Sequence, residues 1–263
     1  ARWQQRSPSQ SPWLHEEIAR RMMQRLDFIT LQPHNWLHWH AAQGGLQAHT
    51  ALQQRYPQAT AWHAPAANVT SSTASNATAA ASTPPPATHS IDMLWANMAL
   101  HTATDPLVVL KQWRQWLSPT GFVMFSTLGP DTLRELRAVL PAATGERVHR
   151  FIDMHDLGDA LVQAGFSDPV MDMEMLTLTY ADLDGLFADL RASGANNAAR
   201  GRPRGLSGRS GWEAARAAYA RLRRDGRLPA SFEIIQGHAW KAAPKTTEDE
   251  RAIVRFQARP PAR

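Results

Sequence analysis

The sequence predicts an α/β fold built on a mostly parallel, doubly wound sheet. Short apolar segments with the character of strands alternate along the chain with amphipathic segments of helical spacing. Residues 122–129 form a nearly continuous apolar run, which is typical of a parallel strand covered on both faces. Towards the end, residues 170–180 alternate in polarity like an antiparallel strand. Ligands of such sheets bind at the carboxyl ends of the strands, so the first strand–turn–helix is expected to carry the main binding loop.

Composition narrows the class of protein further. The chain has 263 residues, of which 43% are hydrophobic and none is cysteine. That excludes disulfides, thiolate metal ligands and cysteine nucleophiles. No apolar run approaches the ~20 residues that cross a bilayer, and the first 13 residues lack the apolar centre of a signal peptide. We therefore expect a cytoplasmic protein without a membrane partner.

The net charge of +5 favours anionic partners, such as phosphorylated ligands or acidic proteins. Lys and Arg are spread along the chain except between residues 199 and 211, so an ordinary solvated surface explains the charge equally well. No nucleic-acid partner is predicted, and the oligomeric state is left open.

The amino-terminal half is expected to start with a disordered segment, residues 1–12, followed by one domain over residues 13–242. The first helix has Leu14, Ile18 and Met22 at helical spacing, with charged residues between them. The elements predicted here are a helix over 14–29, a strand over 35–39, a turn over 41–45 and a helix over 46–57.

A low-complexity insert over residues 64–90 interrupts the domain. No charged residue occurs between Arg55 and Asp92, and the centre is rich in Ala, Ser, Thr and Pro. Such a segment cannot bury enough apolar surface to offset its ordering entropy, so a flexible insert is predicted. The charged, Pro-rich residues 243–263 are predicted to form a loose tail. The remaining predicted elements are strands over 91–97, 122–129, 170–180 and 231–242, and helices over 105–117, 153–166, 182–194 and 211–226.

The segment FSTLGPDTLRELR, residues 125–137, runs from a strand directly into a new helix. Thr132 and Glu135 have the spacing of a capping box, and the leucines behind them form an apolar stripe. Arg134 and Arg137 lie on adjacent turns beside this stripe, where their planar donor groups could bind a carboxylate. A surface helix with solvated arginines fits the same spacing.

This segment resembles the biotin-pathway malonyl-[acyl-carrier-protein] O-methyltransferase family. The resemblance extends over most of residues 14–242. The chain is also similar, more weakly, to a mitochondrial complex I assembly factor with the same fold. The other segments that carry it are RLDFITLQP (25–33), IDMLWANMALH (91–101), FIDMHDLGDALVQAGFSDPVMDME (151–174), LTLTYADLDGLFADLRASGANNA (176–198) and LPASFEIIQGHAWK (228–241).

The resemblance implies a seven-stranded class I methyltransferase fold with a helical lid over residues 129–230. It also implies S-adenosylmethionine as cofactor, malonyl-acyl carrier protein as partner, and methylation of the free malonyl carboxylate. Asp131, Arg134 and Arg137 are then the candidates for substrate binding. The arginines of the Gly-rich segment 199–211 are candidates for docking the acidic carrier protein, or else belong to a solvated loop: Arg200, Arg202, Arg204 and Arg209.

The cofactor loop departs from the family pattern, which has an acidic residue and then a Gly-x-Gly-x-Gly turn. His38 stands at the acidic position, His40 and Ala42 replace the first two glycines, and Gly44 remains. The family has a second acid, which holds the ribose hydroxyls. The corresponding position in this chain falls near Pro65. Asn97 is expected near the cofactor, and no catalytic residue is assigned.

Three hypotheses remain open for the function. The chain is a family enzyme with impaired cofactor binding, a non-catalytic relative that binds a protein partner, or a divergent member with another substrate. His38 and His40 would share one face of a strand, as two ligands of a metal site could. No metal is predicted, because no carboxylate accompanies them. Trp95, Trp113 and Trp116 are predicted to lie in the core.

Overall fold

The computed structural model describes residues 11–64, 86–140, 145–194, 197, 199, 201–203 and 208–242. The predicted flexible insert and loose tail lie largely or wholly outside these ranges, as do residues 1–10. Within them, six strands form one sheet. The strands are β1 (Asn35–Trp39), β2 (Thr60–Ala64), β3 (Ile91–Ala96), β4 (Leu117–Leu128), β5 (Ser167–Tyr180) and β6 (Leu228–Trp240).

The strand order is β2-β1-β3-β4-β6-β5. The first four strands pair in parallel, and β6 lies antiparallel between β4 and β5. This arrangement confirms the predicted α/β class with a doubly wound sheet. The described residues contain six of the seven expected strands, and residues 65–85, between β2 and β3, lie outside the described ranges.

The helices follow the predicted alternation. Asp105, Asp153 and Asp182 accept hydrogen bonds from backbone N–H groups at three helix starts, as N-cap residues do. None of the helices in the described ranges is long and apolar enough to traverse a bilayer. The helices are α1 (Trp13–Arg25), α2 (Ala41–Gly44), α3 (Leu46–Arg55), α4 (Pro106–Trp116), α5 (Arg134–Val139), α6 (Met154–Gln163), α7 (Leu183–Ala192) and α8 (Arg209–Ala220).

Two local predictions are wrong. Residues 41–45, predicted as a turn, contain the single helical turn α2. The Thr132 side chain does not cap α5, because its Oγ1 accepts a hydrogen bond from the backbone N–H of Glu233 at 3.1 Å. Glu135 likewise bonds Ser231 on β6, and Leu133, with φ 55°, precedes the helix instead. Both polar side chains thus join α5 to the sheet.

The hydrophobic core consists of several separate apolar clusters. Trp95, Trp113 and Trp116 are buried against the sheet, which confirms their predicted place. Within residues 129–230, α6 packs on the sheet and β5 forms its edge. The helices α5, α7 and α8 share a further apolar cluster beside β6, with Leu136, Leu186 and Tyr219 at its centre, and are called the lid below.

Candidate functional site

The loop after β1 is closed by its own backbone. His40 has φ 55°, which turns the chain sharply at the end of the strand. Its carbonyl oxygen accepts hydrogen bonds from the N–H groups of Gln43 at 2.9 Å and Gly44 at 2.8 Å. The N–H of Gly45 donates to the Ala41 carbonyl at 3.0 Å. The glycine-loop position is therefore a helical turn that uses its donors internally.

The next helix, α3, is capped by residues from before α1. Ser11 Oγ accepts a hydrogen bond from the Leu46 N–H at 2.9 Å. Glu16 accepts from Gln47 at 3.0 Å and from Ala48 at 3.2 Å. Every backbone N–H from residue 43 to residue 49 consequently donates within the protein. Sequence reasoning missed this cap, because the two segments lie about 30 residues apart along the chain.

His38 and His40 occupy different surroundings. His38 is fully buried in β1, and its Nδ1 lies 3.3 Å from Nδ1 of His49. His40 lies beyond the end of the strand and stacks on Trp39 with ring centroids 4.7 Å apart. The expectation that strand alternation puts both histidines on one face is therefore wrong. Burial lowers the pKa of His40 to about 4. The described residues contain no group of three side chains that could hold a metal ion.

Gly44 and Asn97 meet at the centre of this loop. A Cβ on Gly44 would lie 2.9 Å from His38 Nε2 and 3.1 Å from the Asn97 carbonyl oxygen, so the glycine allows packing within the chain. Asn97 is fully buried, and its Nδ2 donates to the Gly44 carbonyl and, at 2.7 Å, to that of His15. The structure thus brings His38, Gly44 and Asn97 together, whereas Pro65 lies outside the described residues. Ala42 is part of α2 and half-buried.

The loop after β1 lacks the acidic residue of the family pattern. S-adenosylmethionine carries a sulfonium and an ammonium group, which carboxylates stabilise. Between Asp27 and Asp92 the sequence contains neither Asp nor Glu, although this part supplies β1, β2 and both following loops. Glu16, the carboxylate that reaches the loop from α1, accepts hydrogen bonds from the α3 backbone. The loop therefore carries no acid of its own, and its N–H groups from residue 43 to residue 49 donate within the protein.

A cavity of about 420 Å³, called the lid cavity below, lies between the lid and the ends of β3 and β4. This volume is in the range of small-molecule sites, and its walls are mainly apolar. Arg147 and Arg191 line it, and none of the described lining residues is Asp or Glu. The cavity suits an anion attached to an apolar arm. Its apolar wall includes Leu128, Leu133, Leu136, Phe187, Leu190 and Trp212.

Three histidines also line this cavity. Burial, followed by repulsion from His15 and His149, lowers the pKa of His101 to about 3, so its imidazole is neutral near pH 7. Its Nδ1 is buried and has no hydrogen-bond partner among the described residues. His15 is also buried, and its Nδ1 lies 2.6 Å from the Gln43 carbonyl oxygen. Nothing in the local sequence pattern singled out His101 or Arg147.

The predicted substrate arginines lie apart from the cavity. Arg137 donates from Nη1 to the Pro130 carbonyl at 2.7 Å, and from Nη2 to the His149 carbonyl at 3.2 Å. Arg134 is half exposed and lies 3.9 Å from a carboxylate oxygen of Asp131. Neither arginine lines the cavity, although Arg137 holds the segment that carries His149.

The predicted docking arginines are only partly described. Arg202 donates to the Ala199 carbonyl at 3.1 Å, and Arg209 pairs with Glu213 at 3.2 Å on the exposed start of α8. Arg200 and Arg204 lie outside the described residues. The described pair lies on the lid side of the molecule.

Comparisons with known proteins agree with this architecture. No protein-family model matches the chain. The malonyl-[acyl-carrier protein] O-methyltransferase of Gallionella capsiferriformans is 41% identical over 260 residues, which cover 92% of this chain and 89% of the relative. The protein of the same name from Methylovorus sp. is 41% identical over 267 residues, covering 94% and 88%. That from Coxiella burnetii, numbered 1, is 37% identical over 227 residues, covering 85% and 79%.

Among solved structures, YcgJ from Bacillus subtilis covers 85% of this chain and 98% of its own, with a TM-score of 0.46 and 12% identity. The sequence matches extend over nearly the whole length of both chains, and the sheet has the doubly wound order expected of class I methyltransferases. The chain therefore belongs to the malonyl-[acyl-carrier protein] O-methyltransferase family, a family of S-adenosylmethionine-dependent methyltransferases.

Proposed function

We propose that the chain binds the malonyl thioester of acyl carrier protein in the lid cavity and holds it without transferring a methyl group. The observation that carries this proposal is the charge pattern of the cavity. Two guanidinium groups, those of Arg147 and Arg191, line it, and none of its described lining residues is Asp or Glu. A malonyl thioester ends in a free carboxylate and is attached to a long, largely uncharged arm. Guanidinium groups bind carboxylates with paired hydrogen bonds, and the apolar wall excludes water around them.

The loop after β1 is the observation that supports the absence of methyl transfer in this proposal. A charge-assisted hydrogen bond contributes about 1.5–3 kcal/mol, so the loss of two weakens cofactor binding by roughly 10²–10⁴-fold. The loop has His38 in place of the acid, and its N–H groups from residue 43 to residue 49 donate to the protein itself. The same family fold would then serve to bind a carrier protein rather than to modify it.

Docking of the carrier protein is assigned to the lid side. An acidic carrier protein is attracted by exposed arginines, and such charges mainly raise the association rate. Arg202 and Arg209 are the described members of this group, and Arg200 and Arg204 extend it along the sequence. Asp131, Arg134 and Arg137 remain candidates for contacts with the substrate outside the cavity.

A second candidate function is the methylation of malonyl-acyl carrier protein by S-adenosylmethionine. The observation that favours it is the 41% identity with relatives that carry this name over nearly their whole length. A carboxylate already is a nucleophile, so an enzyme of this kind would supply positioning rather than a strong base.

Calorimetric titration separates the two functions. If the chain binds the malonyl thioester without methylating it, malonyl-acyl carrier protein binds in the absence of cofactor. Titration with millimolar S-adenosylmethionine then gives neither a heat of binding nor a shift in melting temperature. A cofactor at 100 times its dissociation constant would stabilise the protein by about 2.7 kcal/mol. Such a shift, with methyl ester formed on the carrier protein, would establish the second function instead. Failure to bind the carrier protein at all would contradict both.

Two sets of variants sharpen this test. Replacing Arg147 and Arg191 by Gln should weaken binding of the malonyl form and leave the unmalonylated carrier protein unaffected. Replacing Arg202 and Arg209 should weaken both forms equally. The double variant His38→Asp with His40→Gly restores the family's residue types at two loop positions. A gain of S-adenosylmethionine binding in this variant would identify those histidines as the cause of the loss.

A further inference from the structure

A second, smaller cavity adjoins the lid cavity. It has a volume of about 170 Å³, and its lining includes Thr104, Thr127 and Ile152. It is called the outer cavity here. The two cavities share four lining residues, which therefore form the wall between them. This wall, called the partition, consists of His101, Leu128, His149 and Phe151.

The partition is held in place by packing and by hydrogen bonds. The Phe151 ring stacks on His149 with centroids 5.4 Å apart and meets His101 edge-on at 5.8 Å. Arg137 donates to the His149 carbonyl at 3.2 Å and so connects this segment to α5. His101 lies in a short 3-10 turn, Leu100–Thr102, directly after β3. Rings fixed in this way do not yield to a ligand without a packing cost.

We propose that the partition limits the acyl group that the lid cavity accepts to a short dicarboxylic chain such as malonyl. This inference rests on the proposed function, because it concerns the ligand of the same cavity. A longer chain would have to displace Phe151 to enter the outer cavity. The partition thus selects by length, and the arginines of the cavity select for the terminal carboxylate.

His101 indicates that a polar part of the ligand reaches the partition. Its Nδ1 is buried without a hydrogen-bond partner among the described residues, on a ring that lines both cavities. Buried polar atoms in native proteins are nearly always paired. An oxygen of the bound acyl group would supply the missing partner.

The test compares malonyl-pantetheine with glutaryl-pantetheine, which is two methylenes longer. One methylene in a fitted pocket changes affinity by roughly 10-fold or more, so the wild type should prefer the malonyl form by at least that factor. In Phe151→Ala, glutaryl binding should improve until the two affinities lie within about threefold. Ile152→Ala, which changes the outer cavity and not the partition, serves as the matched control and should keep the wild-type ratio.

An unchanged ratio in folded Phe151→Ala would overturn the proposal. If the wild type binds neither thioester, the proposed function fails, and the partition is then judged with straight-chain carboxylates of three to eight carbons. Binding of these would be measured by calorimetric titration. The length at which binding stops should increase in Phe151→Ala only, and no increase would again overturn the partition.

Discussion

His40 shows how one side chain determines the form of the loop after β1. A non-glycine residue with positive φ is disfavoured by roughly 1–2 kcal/mol. Here the ring is stacked on Trp39, and the carbonyl accepts two hydrogen bonds, which offset that cost. The comparison with the family pattern showed that His40 and Ala42 replace two glycines. It could not predict that a helical turn, α2, would form there, because the stabilising contacts depend on where the His40 ring packs.

The buried histidines predict a loss of stability in acid. In the unfolded chain a histidine binds a proton near pH 6.5, whereas in the folded protein the pKa is about 4 for His40 and about 3 for His101. The unfolded state therefore binds more protons between these values, and the free energy of unfolding should fall as the pH decreases from about 7 to 4.

Urea unfolding at several pH values would measure this slope. His40→Asn keeps a residue that tolerates positive φ and should make the slope shallower. Equal slopes in wild type and His40→Asn would contradict the assigned pKa.

Arg137 is predicted to stabilise the segment that carries the partition. Its guanidinium donates to three backbone carbonyls, at Pro130, Thr132 and His149. We expect Arg137→Gln to lower the free energy of unfolding by about 1–2 kcal/mol, because these carbonyls lose a charged donor. Arg134→Gln, which removes only long ion pairs, at 3.6 Å and 3.9 Å, of a half-exposed guanidinium, should cost less than about 0.5 kcal/mol. Thermal unfolding of both variants checks the difference, and equal losses would contradict it.

At the scale of elements, α1 acts as a cap for α3. Ser11 and Glu16 accept hydrogen bonds from three successive N–H groups at the start of α3. Such groups otherwise have no partner in a helix. The cap also keeps the loop between β1 and α3 in its closed form. Gly45, whose N–H donates to the Ala41 carbonyl, comes directly before the capped first turn of α3.

Removal of this cap should be measurable. Glu16→Ala is expected to lower the free energy of unfolding by about 1–2 kcal/mol, the usual range for loss of an N-cap. The neighbouring Glu17 pairs with Arg20 and Arg21 on the surface of α1, so Glu17→Ala should cost less than about 1 kcal/mol. A larger loss in Glu17→Ala than in Glu16→Ala would refute the capping role.

Local patterns predicted most elements and few of the contacts between them. Helical spacing located α4, α6 and α7, because this feature depends on residues close together along the chain. The capping box at Thr132 failed because Thr132 and Glu135 bond to β6, about 100 residues away. The same holds for the lid cavity, whose residues come from segments that only the tertiary fold brings together.

At the scale of the whole molecule, the lid is a separate apolar cluster from those on the sheet. Its helices α7 and α8 are short and expose their outer faces. We expect their amides to exchange with solvent faster than those of β3 and β4, which lie in the middle of the sheet. Malonyl-acyl carrier protein should slow exchange in α7 and α8 and leave β3 unchanged. Hydrogen exchange followed by mass spectrometry checks this, and equal protection of both regions would contradict it.

The N–H groups of residues 43 to 49, in the loop after β1 and the start of α3, donate within the protein, and this has a consequence for how the protein would behave in the cell. Under the proposed function, the fold does not depend on the supply of a methyl donor. A binding protein of this kind would be occupied according to the concentration of malonylated carrier protein alone. It would sequester that intermediate under methyl starvation as well as in abundance, so its effect on flux would depend on its copy number.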